Sequence, residues 1–131
     1  LKTPFSPGDS KLHTYKVARA DFARFEAGTV HEVCSTFALG REMEWSSRLF
    51  VLEMTEADEE GVGTMLEITH LGPAFEGEEL VIKATVESLR SHELICSVEV
   101  NVGERQIAVG RTGQKILKKE KINQIFTRLG R

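Results

Sequence analysis

The sequence is poor in several features that would direct its reading elsewhere. It has two cysteines, Cys34 and Cys96, each among core-like neighbours and neither with the partners of a metal-ligand motif. Two buried free thiols in a reducing compartment are expected, rather than a disulfide or a metal site. No apolar run reaches the roughly 20 residues of a membrane span. No basic, apolar and small-residue series reads as a signal peptide, so the expected location is cytoplasmic. A glycine-rich P-loop and a dinucleotide fingerprint are both missing. No internal repeat or low-complexity stretch occurs. The one Trp and the Phe residues stand in apolar patterns and are not interleaved with bases, which argues against a nucleic-acid stacking platform.

What is present is an ordinary globular chain. Its 131 residues, 40% hydrophobic and 28% charged, suit one domain with one core, residues 1–131. The net charge of −3 is unevenly spread. Residues 42–104 hold fifteen acids and three bases, whereas residues 105–131 hold eight bases and one acid, Glu120. Such a basic end reads either as a site for a phosphate-bearing ligand or as a solvated helix face.

Residues 1–11 form a Pro/Gly/Ser-containing lead-in, expected to be loose. Leu12 to Val17 is expected as a first strand. Asp21 to Phe25 is expected as a short helix with Asp21 as its N-cap, and Thr29 to Ser35 as a helical or irregular stretch. The main helix is predicted over Thr36 to Glu56. Phe37, Gly40, Met43, Glu44, Ser47, Phe50, Val51 and Met54 follow the spacing of one helical face, and Arg41, Glu42, Arg48 and Glu53 are assigned to water. The rhythm then changes to period two. Strands are predicted around Thr64 to His70, Leu80 to Val86, Leu94 to Val102 and Arg105 to Leu117. Turns at Arg90-Ser91 and Gly103-Glu104 make them antiparallel, and Gly110 and Gly113 suggest a bulge or bend. Residues 119–129 close the chain as an amphipathic helix. One long helix wrapped by a curved antiparallel sheet is the economical arrangement, an α+β hotdog fold. Its uncovered edge makes a dimer by sheet extension the natural remedy.

Three residues on these elements can carry acyl-transfer chemistry: Thr36, Glu44 and His70. A thioester is hydrolysed when a nucleophile attacks its carbonyl and the developing oxyanion is stabilised. Glu44, among apolar helix residues, is expected to lose hydration and gain basicity, and so to activate water or attack directly. Thr36, near the helix start, can orient the carboxylate or bond the thioester beside free N–H groups. His70, at a strand end, can polarise the carbonyl or deprotonate water. Each also has a structural reading: Thr36 as an N-cap, Glu44 as a paired core carboxylate, His70 as a satisfied core histidine. His13, His31 and His92 lack a partner pattern and are assigned to structure.

Met43-Glu44-Trp45, Gly61-Val62-Gly63-Thr64, Ile68-Thr69-His70 and the loop Gly72 to Gly77 resemble hotdog thioesterases of the fluoroacetyl-CoA thioesterase type, over about Val33 to Phe126. The resemblance implies that Thr36, Glu44 and His70 are a catalytic set. It also implies that Gly63 contacts the acyl group and that Val30 stands where the family has a phenylalanine lid, which weakens selectivity for fluoroacetate. Near the end of the last strand the family carries Gly-Thr-His-x-Arg, whereas this chain reads Arg111-Thr112-Gly113-Gln114-Lys115. Lys115 replaces the arginine as substrate contact, without its forked geometry. The resemblance further implies a homodimer with the pocket shared between subunits. The expected activity is hydrolysis of a small acyl-CoA to free acid and coenzyme A, with no cofactor beyond the coenzyme A of the substrate. Arg111, Lys115, Lys118, Lys119 and Lys121 are candidates for meeting its phosphates. The competing readings are a non-catalytic acyl-CoA-binding sensor and a hotdog hydratase or dehydratase, although the latter's His-containing loop is not found.

Overall fold

The computed structural model describes residues 1–131. Five antiparallel strands, β1 (Ser10–Lys16), β4 (Glu59–His70), β5 (Glu79–Arg90), β6 (Glu93–Val102) and β7 (Arg105–Lys118), form one sheet in the order β1-β5-β6-β7-β4. The helix α1 (Thr36–Met54) packs across one face of this sheet. A separate hairpin, β2 (Phe22–Phe25) with β3 (Gly28–Cys34), precedes α1, and α2 (Lys119–Arg128) ends the chain. This is the α+β hotdog arrangement expected from the residue pattern.

The core lies between α1 and the sheet. Leu39, Met43, Phe50, Val51 and Met54 of the helix are buried with Leu80, Ile82, Val98, Val100, Ile107 and Ile116 of the strands. Alternation on β5 and β6 fixes which residues face the helix, since a slip of one residue would turn every apolar side chain outward. Ser35 caps α1, its hydroxyl accepting the Ala38 N–H at 3.0 Å. The helix stops at Met54 rather than Glu56, because Thr55 is already extended.

Several expectations change. The region expected to be helical, residues 21–25, is a single 3-10 turn at Arg19–Asp21 followed by strand β2, and the stretch expected to be helical or irregular, residues 29–35, belongs to strand β3 as far as Cys34, with Ser35 capping α1. The two short strands pair only with each other and are largely exposed, so no buried-face alternation marks them. Asp21 is not a helix N-cap: its buried carboxylate accepts from Ala18 N, Tyr15 Oη and Arg41. Burial raises its pKa, but these three donors together outweigh that and hold the carboxyl below its ordinary range. The lead-in is docked rather than loose. Lys2 N–H donates to the Met54 carbonyl at 2.7 Å, Phe5 packs edge-on against Phe50, and Gly8 N–H donates to Val86.

On α1 the buried arc centres on Leu39, Met43, Ser46 and Phe50. Phe37 and Glu44 therefore lie outside it, and Phe37 is 84% exposed. Glu42, assigned to water, is buried, with its carboxylate bonded to His13 Nε2 at 2.9 Å and Arg41 Nε at 2.7 Å. Of the histidines left to structure, His13 thus has a partner that its sequence neighbours did not disclose.

Candidate active site

The site runs along the groove between α1 and the edge strand β4, which travel in opposite directions. Gly61 lies under Val51, Gly63 under Glu44, and Leu66 with Ile68 under Gly40. At the end of the groove Thr36 meets His70. Small residues permit this close approach: a Cβ on Gly40 would sit 2.8 Å from Ile68 Cδ1, and one on Gly63 would sit 2.5 Å from Glu44 Oε1.

A register detail makes the groove possible. Gly63 and His70 are seven residues apart, and in a regular strand an odd interval places side chains on opposite faces. The register of β4 against β7 shifts between Gly63, opposite Gln114, and Met65, opposite Gly113. The extra residue, Thr64, restores the phase, so Gly63, Leu66, Ile68 and His70 share the helix-facing side. Gly110 and Gly113 of β7 had suggested an irregularity; it lies opposite Gly113, on the partner strand.

Thr36 Oγ1 and His70 Nδ1 are 2.9 Å apart. Because Ser35 occupies the N-cap position, the Thr36 hydroxyl is released from capping and reaches across to the imidazole. Nδ1 is thereby engaged, which leaves Nε2 as the ring nitrogen for another partner. Glu44 is exposed in the single chain, so the dehydration expected from its apolar neighbours is not supplied by this chain alone. Its carboxylate lies against Gly63, and its carbonyl accepts from Ser47 Oγ at 2.9 Å and Gln114 Nε2 at 3.2 Å.

The chain thus brings the candidates together as two pairs, Thr36 with His70 and Glu44 with Gly63. Eight residues of helix separate the pairs, about 12 Å along the axis. Val30, on β3, lines with Phe22, Phe25, Thr36 and Phe37 a cavity of about 560 Å³ beside the Thr36–His70 pair. Lys115 is exposed. Its neighbour Gln114 points at α1, so alternation places Lys115 on the opposite sheet face. Of the other bases, Arg111 is paired with Glu87 at 2.9 Å and Lys118 with Asp58 at 2.8 Å, which leaves both partly neutralised on the surface. Gln114 escaped the sequence reading, although a glutamine at an inward position of an apolar strand, two residues before Ile116, was a visible signal.

Comparison with known proteins now bears on this groove. The family model described as fluoroacetyl-CoA-specific thioesterase matches residues 17–120. This chain belongs to that family, a family of thioester hydrolases. A Thermus thermophilus thioesterase-superfamily member of solved structure is 33% identical, with a TM-score of 0.91 over 97% of this chain and 94% of that one. A fluoroacetyl-CoA-specific thioesterase variant solved with fluoroacetate and CoA is 21% identical, with a TM-score of 0.83 over 90% of this chain and 99% of that one. A hot-dog-like protein from Thermanaerovibrio acidaminovorans is 20% identical, with a TM-score of 0.85 over 95% and 93% of the two chains. The last two likenesses speak for the fold. No match was found among functionally curated proteins. No helix of the chain is long and apolar enough to cross a membrane.

Proposed function

We propose that this thioesterase-family chain hydrolyses an acyl-CoA thioester as a homodimer. In this reading Thr36 and His70 of one protomer act with Glu44 and Gly63 of the other. The observation that carries it is the Thr36–His70 hydrogen bond at 2.9 Å in the groove whose other end seats Glu44 on Gly63. The spacing of the two pairs calls for a second copy, and the surface supports one. β4 is an unpaired sheet edge with Val62 and Leu66 exposed, and α1 beside it exposes Phe37, Trp45 and Leu52. Antiparallel pairing of β4 with its twofold copy, centred on Glu67 and with Thr64 as the extra residue, sets His70 of each strand opposite Gly63 of the other. Such closure also removes water from Glu44, as its role as a base requires.

The chemistry then follows simply. The Glu44 carboxylate takes a proton from water as the water oxygen bonds to the thioester carbonyl carbon. His70, held by Thr36, donates to the developing oxyanion. When the carbonyl re-forms, the C–S bond breaks and the coenzyme A thiolate leaves, taking the proton held on Glu44 and returning it to carboxylate. The cavity beside Val30 is the place for the acyl group. Nothing as bulky as phenylalanine stands at Val30, so acyl groups larger than fluoroacetyl are admitted.

Thiol release over a panel from acetyl- to octanoyl-CoA tests the activity, with Glu44→Ala and His70→Ala expected to abolish it without unfolding. Mixing the two inactive variants tests the shared site. Random exchange makes half the dimers mixed, and each mixed dimer has one intact site of two, so about a quarter of wild-type activity should return. No recovery after confirmed exchange would place the whole site within one chain. Tight acyl-CoA binding with no thiol release from the wild type would instead favour a sensor.

A further inference from the structure

Gln114 is a polar residue that the apolar packing of the sheet leaves unexplained. It is 1% exposed, and its Nε2 donates to Ser47 Oγ at 2.9 Å and to the Glu44 carbonyl at 3.2 Å. Ser47, equally buried, donates to the same carbonyl at 2.9 Å. The other end of the amide, Oε1, is buried with no partner. An unpaired buried acceptor is destabilising, and an apolar side chain of the same shape avoids that cost. Stability therefore does not account for a glutamine at this place.

Its position does. Gln114 is the register partner of Gly63, and the space left by the absent Gly63 side chain is where Glu44 Oε1 lies. A single rung of the sheet therefore holds Glu44 at two points, Gly63 under its carboxylate and Gln114 at its carbonyl. Gln114, on β7, thus bonds two groups of α1, the Glu44 carbonyl and Ser47 Oγ, and this strand-to-helix tie fixes the rotation of α1 about its axis at this turn; the Ser47 bond lies within the helix and holds the acceptor that Gln114 meets. A helix free to roll by a few degrees would swing a side chain as long as Glu by a sizeable fraction of an ångström.

We propose that Gln114, with Ser47, is a positioning residue that fixes the phase of α1 so that the Glu44 carboxylate stays over Gly63. It touches no reacting atom and acts only through Glu44, so the proposal rests on the reading of Glu44 as the base.

The test is Gln114→Met, which keeps the volume and removes both hydrogen-bonding ends. With the acyl-CoA of the panel that the wild type turns over fastest, kcat should fall about tenfold to hundredfold. KM should stay within about twofold, and the melting temperature should hold or rise because the orphan acceptor is gone. Ser47→Ala should lower kcat in the same direction and combine with Gln114→Met less than additively. In a Glu44→Gln background, Gln114→Met should change the residual turnover no further. Wild-type kcat in Gln114→Met, or an equal loss with and without Glu44, overturns the positioning role. A kcat loss that merely follows a loss of folded protein overturns it too. Wild-type turnover in Glu44→Gln sinks the reading of the base as well. A dead Glu44→Gln beside a normal Gln114→Met sinks the positioning role alone.

Discussion

Replacing Gly63 by alanine probes the seat of the Glu44 carboxylate directly. The added Cβ would lie 2.5 Å from Glu44 Oε1 and 3.6 Å from Cδ, with no other heavy atom closer than 4 Å. Restoring ordinary contact requires the carboxylate to retreat by about 1 Å, a displacement that can cost about 100-fold in rate when the moved group is catalytic. The backbone has no reason to move. Gly63 is not in the left-handed region, and the obstructing atom is the end of a flexible exposed side chain. Alanine also reduces the freedom of the unfolded chain, worth about 0.4–1 kcal/mol where the native backbone accepts it. The expected result is an intact or slightly raised melting temperature with kcat down about 100-fold. Steady-state thiol release and a thermal melt on the same preparation measure both. Wild-type kcat in Gly63→Ala, with the carboxylate shown crystallographically to have moved, would refute the assignment of Glu44 to the reaction. A collapse in stability would refute the premise that only the carboxylate yields.

Three further outcomes follow from the same geometry. Thr36→Val should remove the bond to His70 and lower kcat while leaving the helix capped, whereas Ser35→Ala should cost about 1 kcal/mol of stability with little effect on kcat; urea melts paired with turnover separate the two. Asp21→Asn should destabilise the fold at neutral pH by about 1–3 kcal/mol: the amide oxygen can still accept from Ala18 N–H and Tyr15 Oη, which share Oδ2, but more weakly than a carboxylate, and the amide NH2 is left facing the half-exposed Arg41. The folded pKa of Asp21 is lowered, so its contribution is complete above the unfolded value of about 4 and is lost as pH falls through the folded one. The wild-type advantage over Asp21→Asn should therefore shrink in denaturant melts on acidification below about pH 4. Burial pushes the Cys34 thiol up to about 11 and the Cys96 thiol up to about 12, so neither should react with a disulfide reagent at neutral pH until the protein is denatured. Rapid labelling of the native protein would contradict that, and its absence keeps thiol release a clean readout.

Much of this architecture is local, and so it was legible in the chain. The long apolar rhythm from Phe37 to Met54, the period-two strands after Thr64 and the turns between them state a helix on an antiparallel sheet. The intervals among Thr36, Glu44, Gly63 and His70 state a family. Four matters depended on the third dimension. The hairpin Phe22–Phe25 with Gly28–Cys34 is mostly exposed on both faces, so no alternation announces it. The phase of α1 is set by what β4 and β7 allow beneath it, and this moves Glu44 out of the buried arc and Glu42 into it. The bulge at Thr64 is a property of the pairing with β7, yet it alone lets Gly63 and His70 face one groove. Gln114 acquires its partners only when residues 67 and 70 positions away along the chain fold over it. Periodicity fixes which side of an element is apolar, because it follows from backbone geometry; which atoms meet is decided by register and helix phase, which no single segment contains.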